Sequence, residues 1–178
     1  GFSKLAVGKA RYGFMLREDG IVMDDGTTTR LAQDRFFMTT TTAQAARVMS
    51  HLEFLLQVVW PNLRVTVASV SDQWAAMSLA GPKVRDLLRK ALPQINFDNE
   101  AFPFMENRYA EVAGIPARIA RISFSGELAY EINIEAWKDD FPEFVKKHTA
   151  SSQVHLADSA FFMPQLNRYR RIRIYLPE

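Results

Sequence analysis

Two aspartates stand side by side, Asp24 and Asp25, inside "GIVMDDGTTTR", a stretch otherwise rich in strand-forming residues. A carboxylate there either helps a turn or is held for chemistry, where it accepts a proton or stabilises a developing positive charge. Strand alternation separates the pair. If Ile21 and Met23 share one face, Asp25 joins them, while Val22, Asp24 and Gly26 share the other. Only one aspartate then enters a concave site, and its neighbour faces solvent. By residue type alone the Asp-Asp-Gly triplet also reads as a turn. A second acidic pair, Glu127 and Glu131, straddles "LAY", and even spacing places both on one strand face as edge or hairpin charges.

Other chemistries find less support. His51, His148 and His155 are far apart, with no carboxylate or second histidine at metal-ligand spacing. No serine sits in a nucleophile elbow, and no glycine cluster matches a phosphate cradle or dinucleotide fingerprint. The absence of cysteine excludes disulfides and thiolate sites and fits a reducing compartment. With 22 basic and 20 acidic side chains, the net charge of +2 does not suggest a nucleic-acid partner. Arg168, Arg170, Arg171 and Arg173 near the C-terminus read as a solvated face rather than an RNA site. The apolar runs are too short for a bilayer, and "GFSKLAVGKARYG" lacks a signal-peptide core, so a cytoplasmic protein without a membrane partner is expected. The chain opens without Met one step before a strand-like run, and reads as a fragment.

The positioning elements follow from periodicity in a chain that is 48% hydrophobic. Residues 10–42 read as three strands with turns at "EDG" and "AQD". Thr41 or Thr42 is expected to cap a helix whose stripe is Ala45, Val48, Met49, Leu52, Leu55, Leu56 and Val59, ended by Pro61. Two strands around Ser71 and Asp72 come next, then a short helix with Leu87, Leu88 and Leu92 inward. A hairpin turning at "AGIP", a strand from Ala129 and an amphipathic helix over residues 137–148 complete the pattern. This suits an α+β fold, a largely antiparallel sheet with packed helices. Residues 149–178 show no clear period and stay unassigned.

Three stretches in order resemble a known family. "ARYGFMLREDGIVMDDG" is similar to the "Y-x-x-M-L-x-x-x-G-G-x-x-x-D" stretch of glycine-cleavage T-proteins, the aminomethyltransferases. "LAGPK" resembles their "Q-G-P" turn, and "ISFSGELAYEI" their "R-x-G-Y-T-G-E-x-G-Y-E-I". Residues 2–42 are more similar still to the T-protein-like half of heterotetrameric sarcosine oxidase α subunits. The resemblance covers about residues 2–148 and implies a partial folate-binding domain over 1–148.

What the resemblance implies is a domain that binds tetrahydrofolate and captures the iminium or formaldehyde unit of sarcosine oxidation as 5,10-methylenetetrahydrofolate. The catalytic aspartate falls on Asp25. The folate-binding residues fall on Tyr12, Phe104, Phe124 and Glu131, with Thr27 and Thr29 near the site. FAD and FMN would sit in a partner subunit and NAD in a region outside this chain, so the other sarcosine oxidase subunits are the implied partners. Phe124 replaces the family's usual Tyr and lacks its hydroxyl. The family's leading segment and following helix are missing, so the fragment alone is expected to bind folate weakly or not at all. The alternative is a non-catalytic folate-binding or subunit-assembly module.

Overall fold

The computed structural model describes residues 1–71 and 73–135 with their side chains, and beyond them the backbone of four short strands. The chain divides into two compact units, Gly1–Val70 and Ser71–Glu178.

In the first unit β1 (Ala10–Leu16), β2 (Val22–Ala32) and β3 (Arg35–Met38) form an antiparallel sheet in that order. The β1–β2 turn is the expected one: Gly20 takes φ 78° and the Ile21 amide donates to Asp19 Oδ1 at 3.1 Å. The ladder slips between Met15 and Leu16, since Met15 pairs with Asp24 but Leu16 with Val22. Met23 is therefore the extra residue of a bulge. Simple alternation fails at that point, and Met23 and Asp24 are both buried. From Asp24 onward alternation holds, with Asp24, Gly26 and Thr28 on one face and Asp25, Thr27 and Thr29 on the other.

The Asp-Asp-Gly triplet is thus mid-strand, not a turn, and Asp24 does not face solvent. Asp24 is 5% exposed and accepts two hydrogen bonds from Thr41, from the amide at 3.0 Å and from the hydroxyl at 2.9 Å. The chain leaving β3 crosses β2 at Gly26, where an added Cβ would lie 1.9 Å from the Thr39 carbonyl oxygen. Thr41, expected as a helix cap, is engaged by Asp24. Helix α1 (Ala45–Phe54) begins after Gln44 without a side-chain cap. Its expected stripe faces inward at Val48, Met49, Leu52, Leu55 and Leu56, while Val59 is exposed. The last turn, Leu55–Val59, widens to π-helical geometry and stops before Pro61. Residues 63–70 alternate like a strand but are irregular, with Leu63 and Val65 exposed. Propensity alone does not make a strand, because its amides and carbonyls need a ladder partner.

The second unit holds β4 (Trp74–Ala80), α2 (Val84–Ala91), β5 (Asn107–Val112), β6 (Ile115–Ala120) and β7 (Ala129–Glu135). The backbone strands are β8 (His155–Leu156), β9 (Phe162–Met163), β10 (Arg168–Tyr169) and β11 (Ile172–Tyr175). The sheet order is β5-β6-β7-β4-β11-β8, antiparallel except for β4 beside β11. The expected β5–β6 hairpin turns on Ala113 and Gly114, both at positive φ. One sheet face carries Leu79, Ile119, Tyr130, Ile132 and Ile134 into a core with Val84, Leu88 and Leu92 from α2 and its following turn. Phe97 and Phe102 stack at 5.8 Å, and each meets Tyr130 edge-on. Removing one such ring costs about 3–5 kcal/mol. The expectation of an α+β fold with a largely antiparallel sheet holds; the helix expected over residues 137–148 lies outside the described residues.

The crossing at Gly26 yields a stability prediction. Asp24→Ala should lose about 1–3 kcal/mol in urea unfolding, because it strips the buried acceptor from Thr41. Gly26→Ala should lose at least as much, since the clash is with backbone that cannot rotate away. A loss below about 0.5 kcal/mol for both, the range of surface substitutions, would refute the clamp.

Candidate functional site

On the first unit, Asp25 lies on the sheet face opposite the crossing. Register pairs it directly with Phe14, and pairs Tyr12 with Thr27. Tyr12 and Phe14 are two residues apart on β1, so both rings rise on Asp25's side. The Tyr12 hydroxyl donates to Asp25 Oδ2 at 2.6 Å. Among the described residues nothing donates to Asp25 Oδ1, which leaves an acceptor available on a half-buried carboxylate. The Tyr12 pKa is raised above its ordinary 10.0, chiefly because its proton is held by Asp25 and also through loss of solvent and the carboxylate's charge.

Phe14 was not singled out in the sequence. It meets Tyr12 edge-on at 5.3 Å and is 63% exposed, against 47% for Tyr12. Its same-face spacing from Tyr12 was the available signal. Thr27 and Thr29, expected near the site, are both buried. The Thr27 hydroxyl is paired with that of Thr39 at 2.9 Å, and Thr29 is 2% exposed. The Thr27 hydroxyl thus has its partner within the sheet, as a buried hydroxyl needs.

On the second unit, Glu131 is half-buried on the sheet face away from the aromatic core. Its cross-strand neighbours are small, Ser78 on β4 and Ala120 on β6. Asn133, two residues on, shares this face and is buried. Arg121 follows Ala120 and holds the Phe104 loop: its carbonyl accepts from the Met105 amide at 2.9 Å, and its guanidinium donates to the Phe102 carbonyl at 2.8 Å. Phe104 is 54% exposed. Phe124 is 94% exposed, in a loop where Ser123 Oγ accepts from the Gly126 amide. Register and these ties bring Phe104 and Glu131 to one end of the sheet, near the start of the Phe124 loop. Glu127 lies in that loop before β7 and is exposed, so the shared strand face expected for Glu127 and Glu131 does not form. No cluster of three or more metal-ligating side chains occurs among the described residues, and no helix is long and apolar enough to cross a membrane.

The Tyr12–Asp25 bond predicts a titration. Tyr12→Phe should remove from the phenolate absorbance curve a component that titrates above the ordinary tyrosine range, and Asp25→Asn should move that component down. The neutral phenol is favoured in the folded state, so its contribution to stability is full below pH 10 and lost as pH rises through the raised pKa. A native curve unchanged by Asp25→Asn would contradict the bond.

Comparison with known proteins agrees with this architecture. A family model described as the GCVT N-terminal domain matches residues 1–141. The chain is 56% identical over 137 residues to the sarcosine oxidase subunit alpha of Rhizobium meliloti, which covers 76% of this chain and 14% of that protein. It is 34% identical over 146 residues to the aminomethyltransferase of Thermus thermophilus, covering 80% of this chain and 38% of that one. The crystal structure of the glycine cleavage system aminomethyltransferase T from Bartonella henselae superposes with a TM-score of 0.57 at 25% identity, over 75% of this chain and 33% of that one. The chain therefore spans about a seventh of the sarcosine oxidase α subunit it matches. The match over residues 1–141 and the shared antiparallel architecture place the chain in the GCVT N-terminal domain family of aminomethyltransferase T-proteins.

Proposed function

We propose that the chain is the tetrahydrofolate-binding domain of a sarcosine oxidase α subunit and captures the one-carbon unit of sarcosine oxidation as 5,10-methylenetetrahydrofolate. The observation that carries the reading is the Tyr12–Asp25 pair, a carboxylate held at one oxygen and available at the other. The 56% identity to a sarcosine oxidase subunit alpha supports this choice over a free-standing aminomethyltransferase.

Tetrahydrofolate, as substrate, supplies two nucleophilic nitrogens for one carbon. The residues of this chain do the rest. Asp25 Oδ1 offers negative charge to the cationic iminium. The first folate nitrogen bonds to its carbon, and glycine leaves as the amine with that nitrogen's proton. Asp25 accepts the proton lost when the second carbon–nitrogen bond closes. Tyr12 restrains the rotation of the carboxylate through Oδ2, so little reorganisation is needed during reaction. On the second unit, Glu131 suits the amine and N–H edge of a pterin, to which a carboxylate accepts two parallel hydrogen bonds. Phe104 and Phe124 present exposed rings suited to stacking. In this reading FAD, FMN and NAD are held by other parts of a cytoplasmic multi-subunit assembly and not by this chain.

Two experiments test the proposal. In the complete oxidase, Asp25→Ala should leave peroxide formation intact while the product changes from methylenetetrahydrofolate to free formaldehyde. An unchanged folate product would remove Asp25 from the chemistry and favour a purely binding or assembly module. Separately, titration of the complete oxidase with reduced folate, followed by calorimetry, should show saturable binding that Glu131→Ala weakens at least about tenfold, the loss expected for a charge-assisted pair. Unaltered affinity in Glu131→Ala would overturn the pterin assignment.

A further inference from the structure

We propose that Phe14 and Asp25 form a recognition site for small N-alkylated cations, with the Phe14 ring as its wall and Asp25 Oδ1 as its counter-charge. The proposal rests on the reading of Asp25 as the group that meets the one-carbon cation, and it adds the residue that selects for that cation.

Direct cross-strand partners place their Cβ atoms about 5 Å apart on one face. Phe14 and Asp25 are such partners, so the ring and carboxylate rise from adjacent points of the sheet. Tyr12 meets Phe14 edge-on at 5.3 Å, with 76° between the ring planes, and simultaneously takes Asp25 Oδ2. One phenol therefore braces both members. Phe14 remains 63% exposed, although burial is the usual fate of a phenylalanine in a sheet. Leu16 and Val22, at 51% and 52%, continue the same apolar strip past the bulge.

A carboxylate beside an exposed aromatic wall has a defined ligand chemistry. Inorganic cations favour the carboxylate but gain little from an apolar strip. Neutral apolar molecules gain from the strip but leave Oδ1 without a partner. A cation whose charge is spread over methyl or methylene groups on nitrogen satisfies both, through ion pairing and through the negative face of the ring. Iminium ions and N-methylated ammonium ions belong to this class. An aliphatic residue at position 14 would supply the apolar area without the ring's quadrupole, which makes Phe14 a binding residue for the charge itself.

The test uses tetramethylammonium as probe and tert-butanol as its neutral counterpart of similar size, with the complete oxidase and no folate present. Binding is followed by ligand-observed NMR. Saturable tetramethylammonium binding is expected, weakened about two- to fivefold by Phe14→Leu and by Asp25→Asn, and retained in Phe14→Trp. Tert-butanol should not saturate. Phe14→Leu binding as well as the native protein, or tert-butanol binding equally, would overturn the proposal. If it fails while Asp25→Ala still releases formaldehyde, the one-carbon function stands without Phe14. If the cation binds but Asp25→Ala leaves the folate product unchanged, the cation site stands and that function falls.

Discussion

The first unit depends on a place where no side chain fits. At Gly26 the chain leaving β3 passes so close over β2 that an added Cβ would fall 1.9 Å from the Thr39 carbonyl oxygen. That approach lets the Thr41 amide and hydroxyl reach Asp24, and a buried carboxylate with two donors is a stable arrangement where an unpaired one is not. The crossing fixes β2 against the segment that leads into α1. Asp25, on the opposite face of the same three-residue stretch, is thereby anchored through the backbone.

The two neighbouring aspartates divide their work according to which groups can reach them. Asp24 is buried and accepts a hydrogen bond from Thr41 at each of its oxygens. Asp25 is held at one oxygen by Tyr12 and is open at the other, on a face where Phe14 remains exposed. The same contrast separates Glu127, an exposed loop charge, from Glu131, set on a strand between small neighbours. In each case hydrogen bonding and burial distinguish chemically identical side chains.

The second unit separates apolar from polar side chains by sheet face. Phe97, Phe102 and Tyr130 form an enclosed aromatic cluster, and Arg85 donates to the Tyr130 hydroxyl at 3.2 Å. Polar residues gather on the other face, Glu131, Asn133 and Arg118 among them, and Arg118 lies 4.0 Å over the Trp74 ring. Phe104 and Phe124 ride on loops outside the core and stay exposed.

Much of this was legible in the chain itself. The three-strand meander, the inward stripe of α1, the buried leucines of α2 and the hairpin at Ala113 and Gly114 all follow from local periodicity and turn chemistry. The ordered motifs also pointed to the family. Three features were not legible, and each is non-local. Alternation assigned Asp24 to solvent, because neither the bulge at Met23 nor the chain crossing at Gly26 leaves a mark in the spacing of β2. Thr41 read as a helix cap, because its actual partner lies 17 residues away in sequence. Residues 63–70 read as a strand, because propensity says nothing about whether a neighbouring ladder exists. Sequence determined which segments could become strands and helices and which side chains could do chemistry. Tertiary structure alone decided which carboxylate was consumed by the fold and which was left available, since that depends on donors brought from distant parts of the chain.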